Sequence, residues 1–152
     1  ALVLMESIVS GFADKSIHTH YSNALTKVKS VLRSSQKDSI EFLASNIKFQ
    51  APPCFIQHAE YLATIQQAIA QRRVLEIEYT NLQKEVSKRK AEPIGLVFYA
   101  FNWHLIGWCH LKKDYRDFRV SRILCLRCTS EDFTQKKHIA MNEYMKQIPV
   151  DF

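Results

Sequence analysis

The chain is 152 residues long, 47% hydrophobic and 24% charged, with a net charge of +6. That is the composition of a folded soluble protein, either one ordinary domain or a small domain with an appendage. No stretch approaches the ~20 consecutive apolar residues of a membrane span, and three glycines leave no phosphate-cradling loop of the P-loop or dinucleotide kind.

The opening "ALVLMESIVSG" is too short and too polar for a span and lacks the basic lead of a secretory signal; the initial Ala reads as the start of a fragment. Leu2, Met5, Ile8, Val9 and Phe12 recur at helical spacing, with Gly11 placed to close that helix. Ile17, Tyr21, Leu25 and Val28 define a second helix capped by Ser16, and "KDSIEFLAS" a third. None is long enough to be stable alone, so residues 1–52 are expected to pack as a helical linker and dimerisation segment. Pro52 and Pro53 interrupt it.

Beyond the prolines, "EYLATIQQAIAQRR" places Leu62, Ile65 and Ile69 on one helical face. "VLEIEYTN" then alternates, with Leu75, Ile77 and Tyr79 inward and Glu76 and Glu78 outward. "KEVSKRKAEP", "IGLVFYA", "WHLIGWCHL", "YRDFRV" and "RILCLRC" read as further short strands, with Asn102 and Asp114 as turn residues. A helix followed by consecutive short strands predicts an α+β domain over 53–135, its sheet curled into a small antiparallel barrel. "HIAMNEYMKQIP" predicts a closing helix within 136–152.

The chemistry concentrates between Lys84 and Arg122, where nine basic residues face only Glu85, Glu92, Asp114 and Asp117. Such a field draws polyanions by steering and counterion release, and it also describes a solvated basic face. Within it, "YRDFRVSRI" sets Arg116, Arg119 and Arg122 at every third position. Arginine's planar fork suits phosphate. On a continuous strand Arg116 and Arg119 face opposite ways, so the three converge only if the chain turns near Val120–Ser121. Such a turn is predicted. Tyr99, Trp103, Trp108, Tyr115 and Phe118 are candidates for stacking bases, although Phe118 and Trp103 read as core residues of a small barrel.

Catalysis is not expected. His18, His20, His58, His104, His110 and His138 form no ligand set, Asp114 and Asp117 read as charge partners of the arginines, and no Ser or Cys nucleophile stands in a recognisable setting. "CLRC" lacks the second ligand pair that zinc needs, and residues three apart on a strand diverge. Cys54, Cys109, Cys125 and Cys128 therefore read as buried, reduced thiols of a cytoplasmic protein with no metal and no cofactor.

Four segments resemble the WYL domain of bacterial helix-turn-helix regulators. Arg73, Leu75, Ile77 and Tyr79 match its "R-x-L-x-I-x-Y" strand, and Arg89, Pro93, Gly95 and Leu96 its "R-x-x-x-P-x-G-L" element. Trp103 and Leu105 match the Trp-Tyr-Leu triplet, with His104 in place of the tyrosine. Arg116, Phe118, Arg119, Arg122 and Ile123 match the closing arginine-rich segment. In order and at sensible spacing, the match runs over about 59–129.

The resemblance implies an Sm-like or SH3-like barrel and the ligand-sensing part of a transcriptional regulator. His104, Arg116, Arg119, Arg122 and Arg89 would bind a single-stranded nucleic acid or a nucleotide. Promoter DNA would be read by a domain outside this chain, since residues 1–50 contain no compact basic recognition helix, and regulators of this kind act as oligomers, so a homodimer is expected. A histidine at 104 keeps stacking and hydrogen bonding, loses the phenol, and would tie binding to pH. The competing reading is a protein-interaction and oligomerisation module whose arginines pair with Asp114, Asp117 or a partner's acids.

Overall fold

The structure, a computed structural model, describes residues 1–51 and 60–147; the expectations on Pro52, Pro53, Cys54 and His58 fall outside them. The chain divides into two compact units, Ala1–Ala63 and Thr64–Phe152.

The first unit contains α1 (Leu2–Phe12), α2 (Lys15–Ser30) and α3 (Ser34–Asn46). Two of its expected boundaries shift. α1 runs through Gly11 instead of ending there, because a Cβ at that position would lie 1.9 Å from the ring of Phe49. The glycine makes room for that ring, which also packs on Phe12 with centroids 4.7 Å apart. α2 is capped by Asp14, not Ser16. The Asp14 carboxylate accepts the Ile17 N–H at 3.2 Å, the Ser16 hydroxyl at 2.5 Å and the Leu62 N–H at 2.8 Å, which explains how a carboxylate survives burial at 3% exposure.

α4 (Leu62–Gln71) leads into β1 (Arg73–Thr80), β2 (Val86–Tyr99), β3 (Asn102–Cys109), β4 (Asp114–Arg119) and β5 (Ile123–Asp132), and α5 (Met141–Met145) follows. The strands form one antiparallel sheet in the order β4-β3-β2-β1-β5. The α+β class expected from the sequence is observed, but the sheet is open. β4 and β5 are its two edges, joined through a 3-10 turn at Val120–Arg122. "KEVSKRKAEP" and "IGLVFYA" are not two strands but one, β2, which bends at a bulge between Pro93 and Gly95. Proline is tolerated there because pairing with β1 has already ended at Ala91.

Alternation gives the sheet an inner face of Leu75, Ile77, Ala91, Leu105, Cys109 and Phe118, all buried. Ile65 and Ala68 of α4 are buried as well. Trp103 is only half-buried, packed edge-on to Phe98 at 5.2 Å. Of the thiols expected to be buried, Cys109 is, whereas Cys128 is half-buried and Cys125 exposed, because β5 is an edge strand with one flank uncovered. All three are free thiols.

On the outer face, one buried carboxylate holds the segment that follows β5. Glu92 is fully buried. It accepts the Thr134 N–H at 2.8 Å and hydroxyl at 2.5 Å, the Gln135 N–H at 3.2 Å, and lies 2.8 Å from Nε2 of both His110 and His138. Nδ1 of His138 lies 3.0 Å from the Tyr115 hydroxyl, which accepts the Ile139 N–H at 3.0 Å. Further along, Met141 fills the space that a Cβ on Gly95 would need, 2.6 Å from its sulfur. Burial alone would raise the Glu92 carboxyl, but the donors of Thr134, His110 and Gln135 outweigh it and hold it down at about 2. Of the closing helix expected in 136–152, the described residues contain Met141–Met145.

Two outcomes follow. Because the folded-state pKa of Glu92 lies below its ordinary value, its contribution is present above the carboxylate range and lost as pH falls through about 2. Replacing Glu92→Gln should lower the urea midpoint by the equivalent of about 3 kcal/mol at neutral pH, with much of the difference from wild type disappearing in strong acid. Separately, the β2–β3 hairpin turns through Ala100 and Phe101 at φ 46° and 56°, a left-handed pair that prefers Asn-Gly. Ala100→Asn with Phe101→Gly should raise stability by about 1–2 kcal/mol in thermal melts.

Candidate ligand site on two faces of an edge strand

The register of β4 on β3 pairs Gly107 with Arg116, Ile106 with Asp117, Leu105 with Phe118 and His104 with Arg119. Phe118 is buried in the core, so alternation sends Arg116 to the inner face with it and sends Asp117 and Arg119 to the outer face. The 3-10 turn lies where the arginine spacing called for one. It comes after Arg119, however, and so redirects Arg122 alone. The five expected site residues therefore separate into Arg89 and Arg116 on one side and His104 and Arg119 on the other. Arg122 is half-buried in the turn, with no ion-pair partner among the described residues.

On the inner side, a cavity of about 470 Å³ is lined by Tyr79, Ser87, Arg89, Lys112, Arg116 and Phe118, with Cys109, Asn81, Glu85, Val86 and Asp117 completing its wall. Register explains the grouping: Ile77 pairs with Arg89 and Tyr79 with Ser87, all on the inward side of β1 and β2. The Tyr79 ring meets Phe118 edge-on at 5.4 Å. Arg116 reaches Asp114 only at 3.7 Å, with both side chains at least half exposed, a contact worth little against solvent. Arg89 and Lys112 have no ion-pair partner among the described residues. Glu85 is engaged by Asn81 at 2.8 Å. Tyr79, Ser87 and Lys112 were not singled out from the sequence as site residues; the inward alternation of "VLEIEYTN" already carried the signal for Tyr79.

The outer side is built differently. His104 is 8% exposed, with Nδ1 2.6 Å from one Asp117 oxygen and its ring stacked on Tyr99 at 3.9 Å and 21°. The Tyr99 hydroxyl donates to the other Asp117 oxygen. Asp117 is thus the shared acceptor of a tyrosine and a histidine, not the charge partner of a neighbouring arginine. Burial first, and then this hydrogen bond, push the Tyr99 phenol far above its ordinary range, and burial followed by the charge of Asp117 raises that of Tyr144. Nε2 of His104 and Nε of Arg119 are buried with no hydrogen-bond partner among the described residues. The role of Tyr99 was invisible to pattern reading, because its partner is 18 residues away. No three His, Cys, Asp or Glu side chains come together as a metal site among the described residues, and no helix there is long and apolar enough to cross a membrane.

An α+β domain with an open antiparallel sheet, a cation-lined inner cavity and a histidine–aspartate pair on its outer face is the class so defined. Residues 60–128 match the WYL domain. It is similar to the DNA-binding transcriptional repressor CapW of Escherichia coli (strain KTE188), 30% identical over 91 residues, 59% of this chain and 30% of that protein. It is also similar to the HTH-type transcriptional regulator YobV of Bacillus subtilis (strain 168), 31% identical over 72 residues, 47% of this chain and 23% of that one. Among solved structures, the proteasome accessory factor B/C of Arthrobacter aurescens aligns with a TM-score of 0.48 at 29% identity, covering 64% of this chain and 15% of that one. The chain thus spans about a third or less of the length of these curated relatives.

Because burial and the hydrogen bond that its hydroxyl donates to Asp117 hold the proton on Tyr99, it should stay unionised in an alkaline absorbance titration while exposed tyrosines ionise. Asp117→Asn should bring its transition back toward the ordinary phenol range. A Tyr99 that titrates with the exposed group in the wild type would contradict the hydrogen bond.

Proposed function

We propose that this WYL domain is the sensing part of a transcriptional regulator and takes an anionic ligand, a single-stranded nucleic acid or a nucleotide, in the inner cavity. The observation that carries this is the grouping of Arg89, Lys112 and Arg116 around one space with no strong counter-ion of their own. Phosphate oxygens would supply that counter-ion, with guanidinium forks giving charge-assisted bonds. Tyr79 and Ser87 add a phenol and a hydroxyl for sugar or base atoms. The names of the relatives, DNA-binding and helix-turn-helix regulators, support the regulatory reading, and a role without catalysis agrees with them. DNA would be read by a domain outside this chain, and ligand binding would act on it only to the extent that the ligand favours one of two states.

Two finer statements belong to the same proposal. The strand order, with β5 beside β1 and β4 at the far edge, fits an Sm-like barrel in which a short turn brings the two edges round. The first unit leaves Val31 82% and Phe42 69% exposed, which favours a homodimeric role for residues 1–52 alongside ligand sensing.

The test is a titration of short fluorescent single-stranded DNA and RNA at low and moderate salt, with double-stranded DNA and a cyclic dinucleotide as competitors. Saturable binding should weaken with salt, and Arg116→Ala or Arg89→Ala should each cost roughly 1.5–3 kcal/mol. Absence of binding to every probe, or binding indifferent to both substitutions, would return the arginines to a protein-interaction role.

A further inference from the structure

The segment that Glu92 anchors closes a second cavity, of about 320 Å³, against the end of α4 and the bulge of β2. It shares no residue with the inner cavity. Its walls are apolar, formed by Ile69, Pro93, Phe133, Ile139 and Met141, and all of these except Pro93 are left only half-buried. Its charge is of one sign. Arg72, Lys136 and Lys137 stand around it, exposed and with no ion-pair partner among the described residues. The neighbouring acids are committed elsewhere, Asp132 to Arg73 at 2.7 Å and Glu92 to its own set of donors. His138 also lines the space, but its nitrogens are engaged by Glu92 and Tyr115.

Arg72 is the informative residue. It directly follows α4 at φ 53°, in the left-handed conformation that helix ends reserve for glycine or asparagine. A long side chain at that position is held against backbone strain, which points to a use for it. The guanidinium lies 4.9 Å from the centroid of the Phe133 ring, and the Arg72 carbonyl accepts the Phe133 N–H at 3.3 Å. Together these contacts fix a cation at the edge of an apolar space.

From this we infer that the space between α4, the β2 bulge and the C-terminal segment binds a small amphipathic anion, a carboxylate carried on a compact apolar body. The carboxylate takes charge-assisted hydrogen bonds from Arg72, Lys136 and Lys137, and the apolar body covers Ile69, Ile139 and Met141. Apolar walls with a few polar groups at one side are the usual make-up of a small-molecule site, and the volume stands at the small end of the roughly 300–1,000 Å³ range. A fully hydrated ion such as phosphate leaves those walls uncovered, and an uncharged hydrocarbon leaves the three cations unpaired. Because the segment supplies one wall, an occupant fastens it to α4 and β2. The inference goes beyond the proposed binding in the inner cavity and stands on none of the same residues.

The experiment follows backbone amides of the intact chain by NMR while hexanoate, hexan-1-ol, acetate and inorganic pyrophosphate are added in separate titrations. Hexanoate should give saturable shifts at Phe133, Lys137 and Ile139. Hexan-1-ol, which lacks the charge, and acetate, which lacks the apolar body, should each need roughly tenfold higher concentration. Arg72→Gly should weaken hexanoate binding by a similar factor yet melt no lower than the wild type, since it relieves the left-handed backbone. Lys136→Ala combined with Lys137→Ala, both exposed positions, should weaken it too, while pyrophosphate shifts around Arg116 persist in both variants. No saturable hexanoate shifts, equal affinity for hexanoate and hexan-1-ol, wild-type binding by the lysine variant, or an Arg72→Gly that loses stability instead of binding would overturn the inference. Failure of pyrophosphate alone would count against the inner cavity, so the two failures are distinguishable.

Discussion

Alternation along β4, held in register by β3, decides where each arginine of the basic cluster goes. A strand turns successive side chains to opposite faces, and because Phe118 must be inside, Arg116 goes in with it and Arg119 goes out. No adjustment of side-chain torsions can reunite two residues whose Cβ atoms leave opposite sides of a sheet. The consequence is a divided surface: a cationic cavity on the inner side and a histidine–aspartate–tyrosine cluster on the outer.

The same rule organises β2 and β3. Arg89 lies inward between Ser87 and Ala91, while Glu92, Trp108 and Tyr115 form an outer row over which the segment from Thr134 to Met141 is laid. Glu92 anchors that segment by satisfying backbone and side-chain donors that would otherwise be stranded. β3 is consequently covered on both sides, and His104, Leu105, Ile106 and Gly107 are all buried. This explains why Nδ1 of His104 is committed to Asp117. A buried imidazole needs partners, and Asp117 supplies one of two.

Much of this was legible in the sequence. Period-two alternation in "VLEIEYTN" placed Leu75 and Ile77 inside, and the "RKAEPIGL", "NWHL" and "YRDFRVSRI" segments carried the resemblance to the WYL domain, which residues 60–128 match. The need for a turn after Arg119 followed from strand geometry, and a 3-10 turn is there. What pattern reading could not reach were contacts distant in sequence. Glu92 with Thr134 and Tyr99 with Asp117 are set by register and by the path of the C-terminal segment, neither of which leaves a periodic trace. The expectation that three arginines would converge overestimated the turn, which acts one residue too late to move Arg119. Gly11 and Ser16 were read by their usual roles at helix ends, whereas the ring of Phe49 and the carboxylate of Asp14 determine them.

The division of the arginine cluster is most directly tested by a double-mutant cycle. Binding of a short single-stranded oligonucleotide would be measured for the wild type, Arg116→Gln, Arg119→Gln and the double variant. Residues on opposite faces with no shared partner should act additively, within about 0.5 kcal/mol. A coupling of roughly 1 kcal/mol or more would mean that both guanidiniums hold the same group, and would contradict the two-faced arrangement.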